Sequence, residues 1–239
     1  MPADSNHVVD PESLGPVLLI GADGMLGRAW RRRLEADGVE VVAPTLEHVT
    51  ADRPVVVNCA AWTDVDGAES HVEAAEQVNG YAVGRLADRC AEVDSLLVHF
   101  STDYVFTGQS RRPYRPWDMA LPCNTYGMSK RLGETLIDRS RARWLLVRTS
   151  WLYAPWGRNF VLTMAKLTAE RDELKVVNDQ RGRPTSALHL AAMTWGLVQR
   201  RATGIYHVTD GGACTWYDLA CEVGRAINPD CRIEPCTSE

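Results

Sequence analysis

Short apolar runs alternate with longer helical stretches along most of this 239-residue sequence. The runs that predict strands are rich in β-branched residues: Val17–Ile20, Val39–Val42, Val55–Asn58, Leu96–Ser101, Trp144–Thr149, Leu174–Val177 and Gly204–Val208. The stretches with helical spacing lie between them: Met25–Ala36, Glu69–Glu92, Thr125–Arg139, Asn159–Glu170, Ser186–Arg200 and Trp216–Ile227. Continuous apolar strands separated by helices are typical of a parallel sheet covered on both faces. We therefore predict an α/β fold, a Rossmann-type doubly wound parallel sheet.

A glycine-rich segment, GADGMLG at residues 21–27, joins the first predicted strand to the first predicted helix. Glycines at this spacing allow a tight turn, a close approach of the backbone to a pyrophosphate and close packing of the helix on the strand. The N–H groups at the start of the helix can then face the phosphates. A glycine-rich turn without a ligand is the alternative. The context favours a dinucleotide site formed by Gly21, Gly24, Met25, Leu26 and Gly27.

Tyr126 and Lys130 are four residues apart on a predicted helix, so they share one face. A nearby ammonium favours the phenolate form of tyrosine and lowers its pKa, which suits the phenol to donate a proton to a ketone oxygen near neutral pH. Taken alone, the pair favours a surface helix that carries an unrelated tyrosine and lysine, because this spacing is common by chance.

A third segment, HFSTDYVF at residues 99–106, begins in a predicted strand and leaves the sheet with Ser101, Thr102 and Asp103. Ligands bind at the carboxyl ends of strands in open α/β sheets, and a hydroxyl there can hydrogen-bond a substrate carbonyl. The alternative is an ordinary strand-to-loop junction built from turn-forming residues.

Composition excludes several classes of protein. The net charge of −5 gives no basic surface for nucleic acid or for a membrane. No apolar run approaches the roughly 20 residues of a membrane span, and residues 1–16 lack the features of a secretory signal and predict a flexible leader. The seven cysteines, an odd number without a C-x-x-C pair, indicate reduced thiols in a cytoplasmic protein, and we expect no metal site.

Several motifs, in this order and at these separations, resemble those of the dTDP-4-dehydrorhamnose reductases, a family of extended short-chain dehydrogenases/reductases. They are VVVNCAAWTDVDGAE (55–69), HFSTDYVFTG (99–108), the Pro113-Tyr114 segment, YGMSKRLGE (126–134), RTSWLY (148–153), GRNFV (157–161), DQRGRPT (179–185) and GIYHVTDGGACTW (204–216). The resemblance covers nearly the whole chain. It implies a nicotinamide-dependent reduction of the C4 ketone of a dTDP-sugar, such as dTDP-4-dehydrorhamnose.

The resemblance also implies roles for individual residues. Thr102, Tyr126 and Lys130 match the catalytic set, in which the tyrosine protonates the C4 oxygen, the lysine lowers its pKa and holds the nicotinamide ribose, and the threonine orients the carbonyl. The implied cofactor contacts outside the glycine segment are Ala60, Ala61, Trp62, Ser101, Tyr126 and Lys130. The implied substrate contacts are Thr102, Asp103, Tyr104 and Trp151, with core packing as the alternative for Trp151.

Three features depart from the family pattern. Only eleven residues, 43–53, connect the second and third predicted strands, so we expect one strand of the first half to be missing. The acidic residue that would bind a ribose 2′-hydroxyl is absent at Ala43-Pro44-Thr45, which favours NADPH over NADH. Arg28, Arg31 or Arg32 are candidates to meet the 2′-phosphate. Family members also extend several tens of residues beyond the position of Glu239, so we expect a short substrate lobe.

These observations predict a leader over residues 1–16, an NAD(P)-binding domain over 17–150 and mixed segments with a small substrate-binding lobe over 151–239. A homodimer is expected from the resemblance. Three alternatives to the rhamnose reductase remain open at this point. They are a reductase for a related antibiotic deoxysugar, a non-catalytic protein of the same fold like the regulatory subunit of methionine adenosyltransferase, and a sugar-nucleotide epimerase.

Overall fold

The computed structural model describes residues 14–42 and 54–238. The predicted leader therefore lies almost wholly outside the described residues, as does the short link at 43–53. The described chain forms two compact units. The first contains the residues up to Thr149 together with Ala191–Val208, and the second contains Ser150–Leu190 and the chain from Thr209 onward. Ala191–Val208 lies within the mixed segments predicted over 151–239, and its strand, Gly204–His207, pairs with the sheet of the first unit.

The strands, in chain order, are β1 (Val17–Ile20), β2 (Val41–Val42), β3 (Val55–Asn58), β4 (Leu96–Thr102), β5 (Arg143–Thr149), β6 (Leu152–Tyr153), β7 (Glu173–Val177), β8 (Arg181–Gly182), β9 (Thr185–Ser186), β10 (Gly204–His207), β11 (Cys214–Thr215) and β12 (Arg232–Cys236). The α-helices are α1 (Met25–Ala36), α2 (Val65–Ser70), α3 (Val72–Glu76), α4 (Ala82–Glu92), α5 (Thr125–Arg139), α6 (Phe160–Glu170), α7 (Ala187–Gln199) and α8 (Trp216–Ile227). A π-helical turn (Gln77–Tyr81) joins α3 to α4, and a 3₁₀ turn (Asp103–Val105) follows β4.

The first unit is built on a six-stranded parallel sheet in the order β10-β5-β4-β3-β1-β2. In this order β2 lies next to β1 on one side and β3 lies next to β1 on the other. The carboxyl ends of β1 and β3 therefore flank the point where the strand order reverses, which is where open α/β sheets bind ligands. The predicted Rossmann-type parallel sheet is confirmed.

Both faces of this sheet are covered. On one face, Leu18, Val56 and Leu97 of the strands pack with Leu86 of α4 and Ile137 of α5 in a fully apolar cluster. On the other face, the buried Trp30 of α1 makes edge-to-face contacts at 6.1 Å with Phe100 of β4 and with Trp195 of α7. Burial of such large apolar side chains is the main favourable contribution to the stability of this unit.

The single helix predicted over Glu69–Glu92 is wrong. The chain breaks at His71, where φ and ψ leave the helical region, and it forms the π-helical turn before α4 begins. The sequence carries adjacent Asn79 and Gly80 at this turn, two residue types that are disfavoured in the interior of an α-helix. Other predicted ends differ by one or two residues, as for β2, which begins at Val41 rather than Val39.

The second unit has three two-stranded sheets. β7 pairs with β12 and β6 with β9 in parallel, whereas β8 and β11 are antiparallel. Helices α6 and α8 form a small core with this part of the chain, centred on Met164, Val176 and Ala220. The sequence did not predict β12 or the two-residue strands of this second unit. Within the described ranges, no helix is long and apolar enough to cross a membrane.

Candidate active site

The turn after β1 leaves the N-terminus of α1 open to a ligand. Gly21 has φ +75°, and its carbonyl accepts a hydrogen bond of 3.1 Å from the N–H of Gly24, the residue that precedes the helix. Gly24 has no side chain to cap the helix, and the first turn contains no acidic residue. The side chain of Leu26 is buried in the core, so a phosphate contact there would come from its backbone. This geometry fits a pyrophosphate, which needs backbone N–H donors and a positive dipole end.

The backbone after β3 runs directly against this turn. A Cβ added at Gly21 would lie 2.6 Å from the nitrogen of Ala60, so only glycine permits the approach. The Asn58 side chain accepts a hydrogen bond of 3.1 Å from the Ala60 N–H and fixes the start of the segment that continues through Ala61 and Trp62. The predicted cofactor segments that follow β1 and β3 are thus neighbours at the reversal point of the sheet.

Strand β4 brings Ser101 and Thr102 to the same edge, both buried. The Thr102 hydroxyl accepts a hydrogen bond of 3.2 Å from the N–H of Tyr104 and donates one of 3.2 Å to the Asp103 carboxylate. These bonds form the 3₁₀ turn that carries Asp103 and Tyr104 away from the sheet. The Thr102 side chain lies close enough to Tyr126 to oppose the rise in the pKa of its phenol.

Helix α5 carries Tyr126 and Lys130 on the face towards β4. Asn124 caps the helix by accepting a hydrogen bond of 2.7 Å from the N–H of Gly127. Glu69 of α2 holds the first helical residue, Thr125, because its carboxylate accepts hydrogen bonds from the Thr125 N–H (2.9 Å) and hydroxyl (2.7 Å). These contacts lower the pKa of Glu69. The tyrosine therefore follows a residue that is fixed through both backbone and side chain.

The aromatic ring of Tyr126 meets Tyr104 edge-on, with ring centroids 5.7 Å apart. Tyr126 thus packs on the turn that Thr102 and Tyr104 form at the end of β4. Lys130 lies one turn further along α5 and is buried with only 2% of its surface exposed. The structure accordingly brings the predicted catalytic set together within the first unit.

Burial, rather than Lys130, dominates the pKa of Tyr126. Withdrawal of the phenol from water raises the pKa of Tyr126 to about 12, and the Asp103 carboxylate raises it further, whereas the Thr102 side chain only partly opposes this. Burial lowers the pKa of Lys130 to about 8, partly offset by the Glu134 carboxylate. In this state of the protein, desolvation therefore outweighs the attraction between ammonium and phenolate that the sequence suggested.

A buried ion pair supports the same helix. Glu134 lies one turn after Lys130, and both of its oxygens accept hydrogen bonds of 2.8 Å from the guanidinium of Arg148 on β5. The side chains are 1% and 3% exposed, respectively. Arg148 and the partially exposed Arg131 lower the pKa of Glu134 against the opposing effect of burial. The pair joins α5 to the sheet beneath it.

Trp151 belongs to the second unit. Its indole stacks on Trp216 with ring centroids 3.4 Å apart, and a Cβ at Gly182 would collide with it. Its φ of +47° is unusual for a bulky residue. Within this unit Trp151 is thus a packed side chain, and its role towards a substrate remains a prediction.

Comparison with known proteins decides the family. The family model described as RmlD substrate binding domain matches residues 15–239. The dTDP-4-dehydrorhamnose reductase of Burkholderia thailandensis is 40% identical over 226 residues, which cover 85% of this chain and 76% of that protein. The chain belongs to the dTDP-4-dehydrorhamnose reductase family. The resemblance seen in the sequence motifs is therefore confirmed.

A relative with a different name and a solved structure are similar to this chain as well. The dTDP-4-keto-6-deoxy-D-glucose reductase of Streptomyces niveus is 40% identical over 237 residues, covering 93% of this chain and 82% of that protein. The crystal structure of dTDP-4-dehydrorhamnose reductase from Bacillus anthracis in complex with NADP is 32% identical. It has a TM-score of 0.88 and covers 94% of this chain and 85% of that one.

Sequence reasoning missed one buried residue that links two segments of the predicted site. Asn79, on the π-helical turn, is fully buried and hydrogen-bonded to Trp62 and to Ser129, which lies between Tyr126 and Lys130. The available signal was the Asn-Gly pair inside an otherwise helical segment, which marks an irregular turn.

Proposed function

We propose that this protein reduces the C4 ketone of a dTDP-4-dehydro-6-deoxy-L-hexose, with NADPH as the hydride donor. The observation that carries the proposal is the packing of Tyr126 on the turn that Thr102 and Tyr104 form at the carboxyl end of β4, with the Tyr104 and Tyr126 ring centroids 5.7 Å apart. The same sheet carries the N-terminus of α1 at its reversal point. The family relatives named for this reduction support the choice of substrate class.

The glycine turn fits the cofactor. The backbone N–H groups of Leu26 and Gly27 would hold the pyrophosphate, and the segment Ala60–Trp62 would lie along the dinucleotide. Lys130 would hold the nicotinamide ribose, with Ser101 nearby on β4. When bound, the nicotinamide supplies the hydride. The complex of the Bacillus anthracis relative with NADP favours NADPH over NADH, and Arg28, Arg31 and Arg32 of α1 are candidates for its 2′-phosphate.

The protein supplies the proton and the orientation. Tyr126 keeps its proton at neutral pH because burial raises its pKa, so it is available to donate that proton to the ketone oxygen. The Thr102 hydroxyl would orient the same oxygen. Asp103 and Tyr104 would then contact the sugar nucleotide.

A reductase for another deoxysugar is the second candidate, because the Streptomyces niveus relative is named for dTDP-4-keto-6-deoxy-D-glucose. The two candidates share the catalytic set and the cofactor and differ only in the sugar. A homodimer and a cytoplasmic location are further proposals. Light scattering on the purified protein tests the first of them.

The experiment combines binding with turnover. Purified protein is titrated with NADPH and NADH by nicotinamide fluorescence and is then assayed with dTDP-4-dehydrorhamnose and with other dTDP-4-keto sugars. We expect saturable binding with NADPH preferred, and oxidation of NADPH that depends on the sugar. A folded protein that binds neither nucleotide would instead support the non-catalytic alternative.

A further inference from the structure

The face of the sheet that α4 and α5 cover is apolar up to its carboxyl edge, where it ends in a polar pair. Val56 of β3 and Leu97 of β4 belong to the apolar cluster, and the next positions on the same face are Asn58 and His99. These two residues are opposite each other in the parallel register, and both are buried. Valine or leucine would fill such positions without the cost of burying polar groups, so we expect the pair to have a polar role.

The hydrogen bonds of Asn58 determine the orientation of its amide. The backbone N–H of Ala60 can only donate, and it lies 3.1 Å from Oδ1 of Asn58, which therefore accepts. The other end of the amide, Nδ2, lies 3.2 Å from Nδ1 of His99. Because Nδ2 can only donate, Nδ1 of His99 must accept and carry no proton. The imidazole is then neutral, with its hydrogen on Nε2.

The surroundings of His99 agree with a neutral ring. Burial lowers the pKa of His99 well below its ordinary value, and the positive charge of Lys130 acts in the same direction. Among the residues that the structure describes, Nε2 of His99 has no hydrogen-bond partner. In this part of the chain, the bond to Asn58 is thus the one hydrogen bond that the imidazole makes.

Asn58 transmits the constraint to the proposed cofactor segment. The Ala60 nitrogen that Asn58 holds is the atom that a Cβ at Gly21 would meet at 2.6 Å, so this peptide directly faces the glycine turn. If the amide of Asn58 were reversed, its Nδ2 would face the Ala60 N–H, and two donors would meet. Without an acceptor at His99, Nδ2 would have no partner there, and the amide would be held from one side only.

We propose that neutral His99 is a positioning residue, whose Nδ1 holds the Asn58 amide in the orientation that fixes Ala60 beside the glycine turn. The inference rests on the proposed function and deepens it, because the segment so fixed is the one assigned to the dinucleotide. His99 itself touches neither cofactor nor substrate in this assignment. Since a segment that is already placed need not be ordered on binding, loss of the acceptor should weaken NADPH binding and leave the chemical step nearly unchanged.

The first measurements are made on the protein without cofactor. Nitrogen NMR of the isotope-labelled histidine rings at pH 7, with His99→Asn to assign the signal, should show His99 neutral and with its hydrogen on Nε2. Amide hydrogen exchange then reports the bond from Ala60 to Asn58. We expect faster exchange at Ala60 for His99→Leu than for the wild type, and wild-type exchange for His99→Asn.

The second measurement is the affinity for NADPH by fluorescence titration. His99→Leu removes the acceptor, whereas His99→Asn retains one, because the side-chain oxygen of asparagine takes the place of Nδ1. We expect the dissociation constant to rise about 10-fold for His99→Leu, the effect of about one hydrogen bond, and less than about 3-fold for His99→Asn. At saturating NADPH, kcat should change by less than about 3-fold in both variants.

Two further variants separate this link from general destabilisation. Added to Asn58→Ala, His99→Leu should cause no further loss of affinity, because both substitutions cut the same link. Leu97→Val is the matched control, since Leu97 lies on the same strand and face and is fully buried but loses no polar group. It should lower stability and leave the affinity for NADPH unchanged.

Three results would overturn the inference alone. They are a wild-type His99 that is charged or carries its hydrogen on Nδ1, an unchanged affinity in His99→Leu, and equal losses in His99→Leu and His99→Asn, as expected of a residue that only fills space. If His99→Leu does not fold, the position of the hydrogen in the wild type still decides. Wild-type protein that binds no NADPH would overturn the proposed function itself, and the NMR and exchange measurements separate these cases because they require no ligand.

Discussion

Lys130 carries a charge in a place where the folded protein disfavours it. The residue is 2% exposed, and burial lowers its pKa from 10.5 to about 8. A pKa change of this size corresponds to about 3 kcal/mol, at about 1.4 kcal/mol for each pKa unit. We therefore expect Lys130→Met, which keeps an unbranched chain of similar length, to raise the free energy of unfolding by about 3 kcal/mol at pH 7. The same variant should lose turnover.

The pH dependence gives this prediction its sign. Below pH 8 the lysine is charged in both the folded and unfolded states, so the wild type bears the full cost of burial. Between pH 8 and 10.5 the folded protein releases the proton while the unfolded chain retains it, and the stability of the wild type rises relative to the variant. Above pH 10.5 the lysine is neutral in both states, and the difference should vanish.

Urea unfolding of both proteins at pH 7 and at pH 10.5 measures the difference. Lys166→Met is the matched control, because the Lys166 side chain is 72% exposed on α6 and its pair with Glu170 is 4.0 Å long. Such a surface pair contributes little, so its removal should change stability by less than about 1 kcal/mol at either pH. The reasoning is refuted if Lys130→Met is less stable than the wild type at pH 7, or if the difference is the same at both pH values.

Three further substitutions separate the parts of the site. Tyr126→Phe should lose most turnover and retain NADPH binding, since it removes only the proton donor; near-normal turnover would contradict its assignment as the acid. Glu134→Gln should lower the free energy of unfolding by about 3–5 kcal/mol in urea, because it leaves the Arg148 guanidinium buried without its carboxylate. Gly21→Ala should weaken NADPH binding at least about 10-fold by fluorescence titration, because the new Cβ would press on the backbone of Ala60. An unchanged affinity for NADPH would show that the glycine turn is not part of the cofactor site.

The ends of some helices were predicted from the sequence without error, because the signals that set them lie within a few residues. Helices α1, α5 and α8 begin and end where the pattern placed them. Asn124 caps α5 with its side chain, and Thr215 forms a capping box with Asp218 at the start of α8. Caps and helical spacing act within a few residues, so a single sequence contains them.

Other features depend on partners that are distant in the chain. Strand β10 joins the first unit because it pairs with β5, about 60 residues earlier, and the two-residue strands of the second unit have no pattern of their own. Asn79 links two distant segments, because its side-chain amide bonds to both Trp62 and Ser129, which are 17 and 50 residues away. No spacing rule within the helix contains that information.

The pKa of Tyr126, the proposed proton donor, shows why the spacing of a motif alone does not determine the pKa values of its residues. The spacing of Tyr126 and Lys130 implied a phenol made more acidic by its neighbour, but the fold removes both groups from water, which raises the pKa of Tyr126 to about 12 and lowers that of Lys130 to about 8. The proton therefore rests on Tyr126 until a ketone oxygen can take it. Once the phenolate forms, the Lys130 ammonium is the stronger acid and can restore the proton. Reduction should then depend on protonated Lys130, and kcat/KM should fall as the pH rises through about 8. A flat profile between pH 7 and 9 would contradict this order of proton transfer.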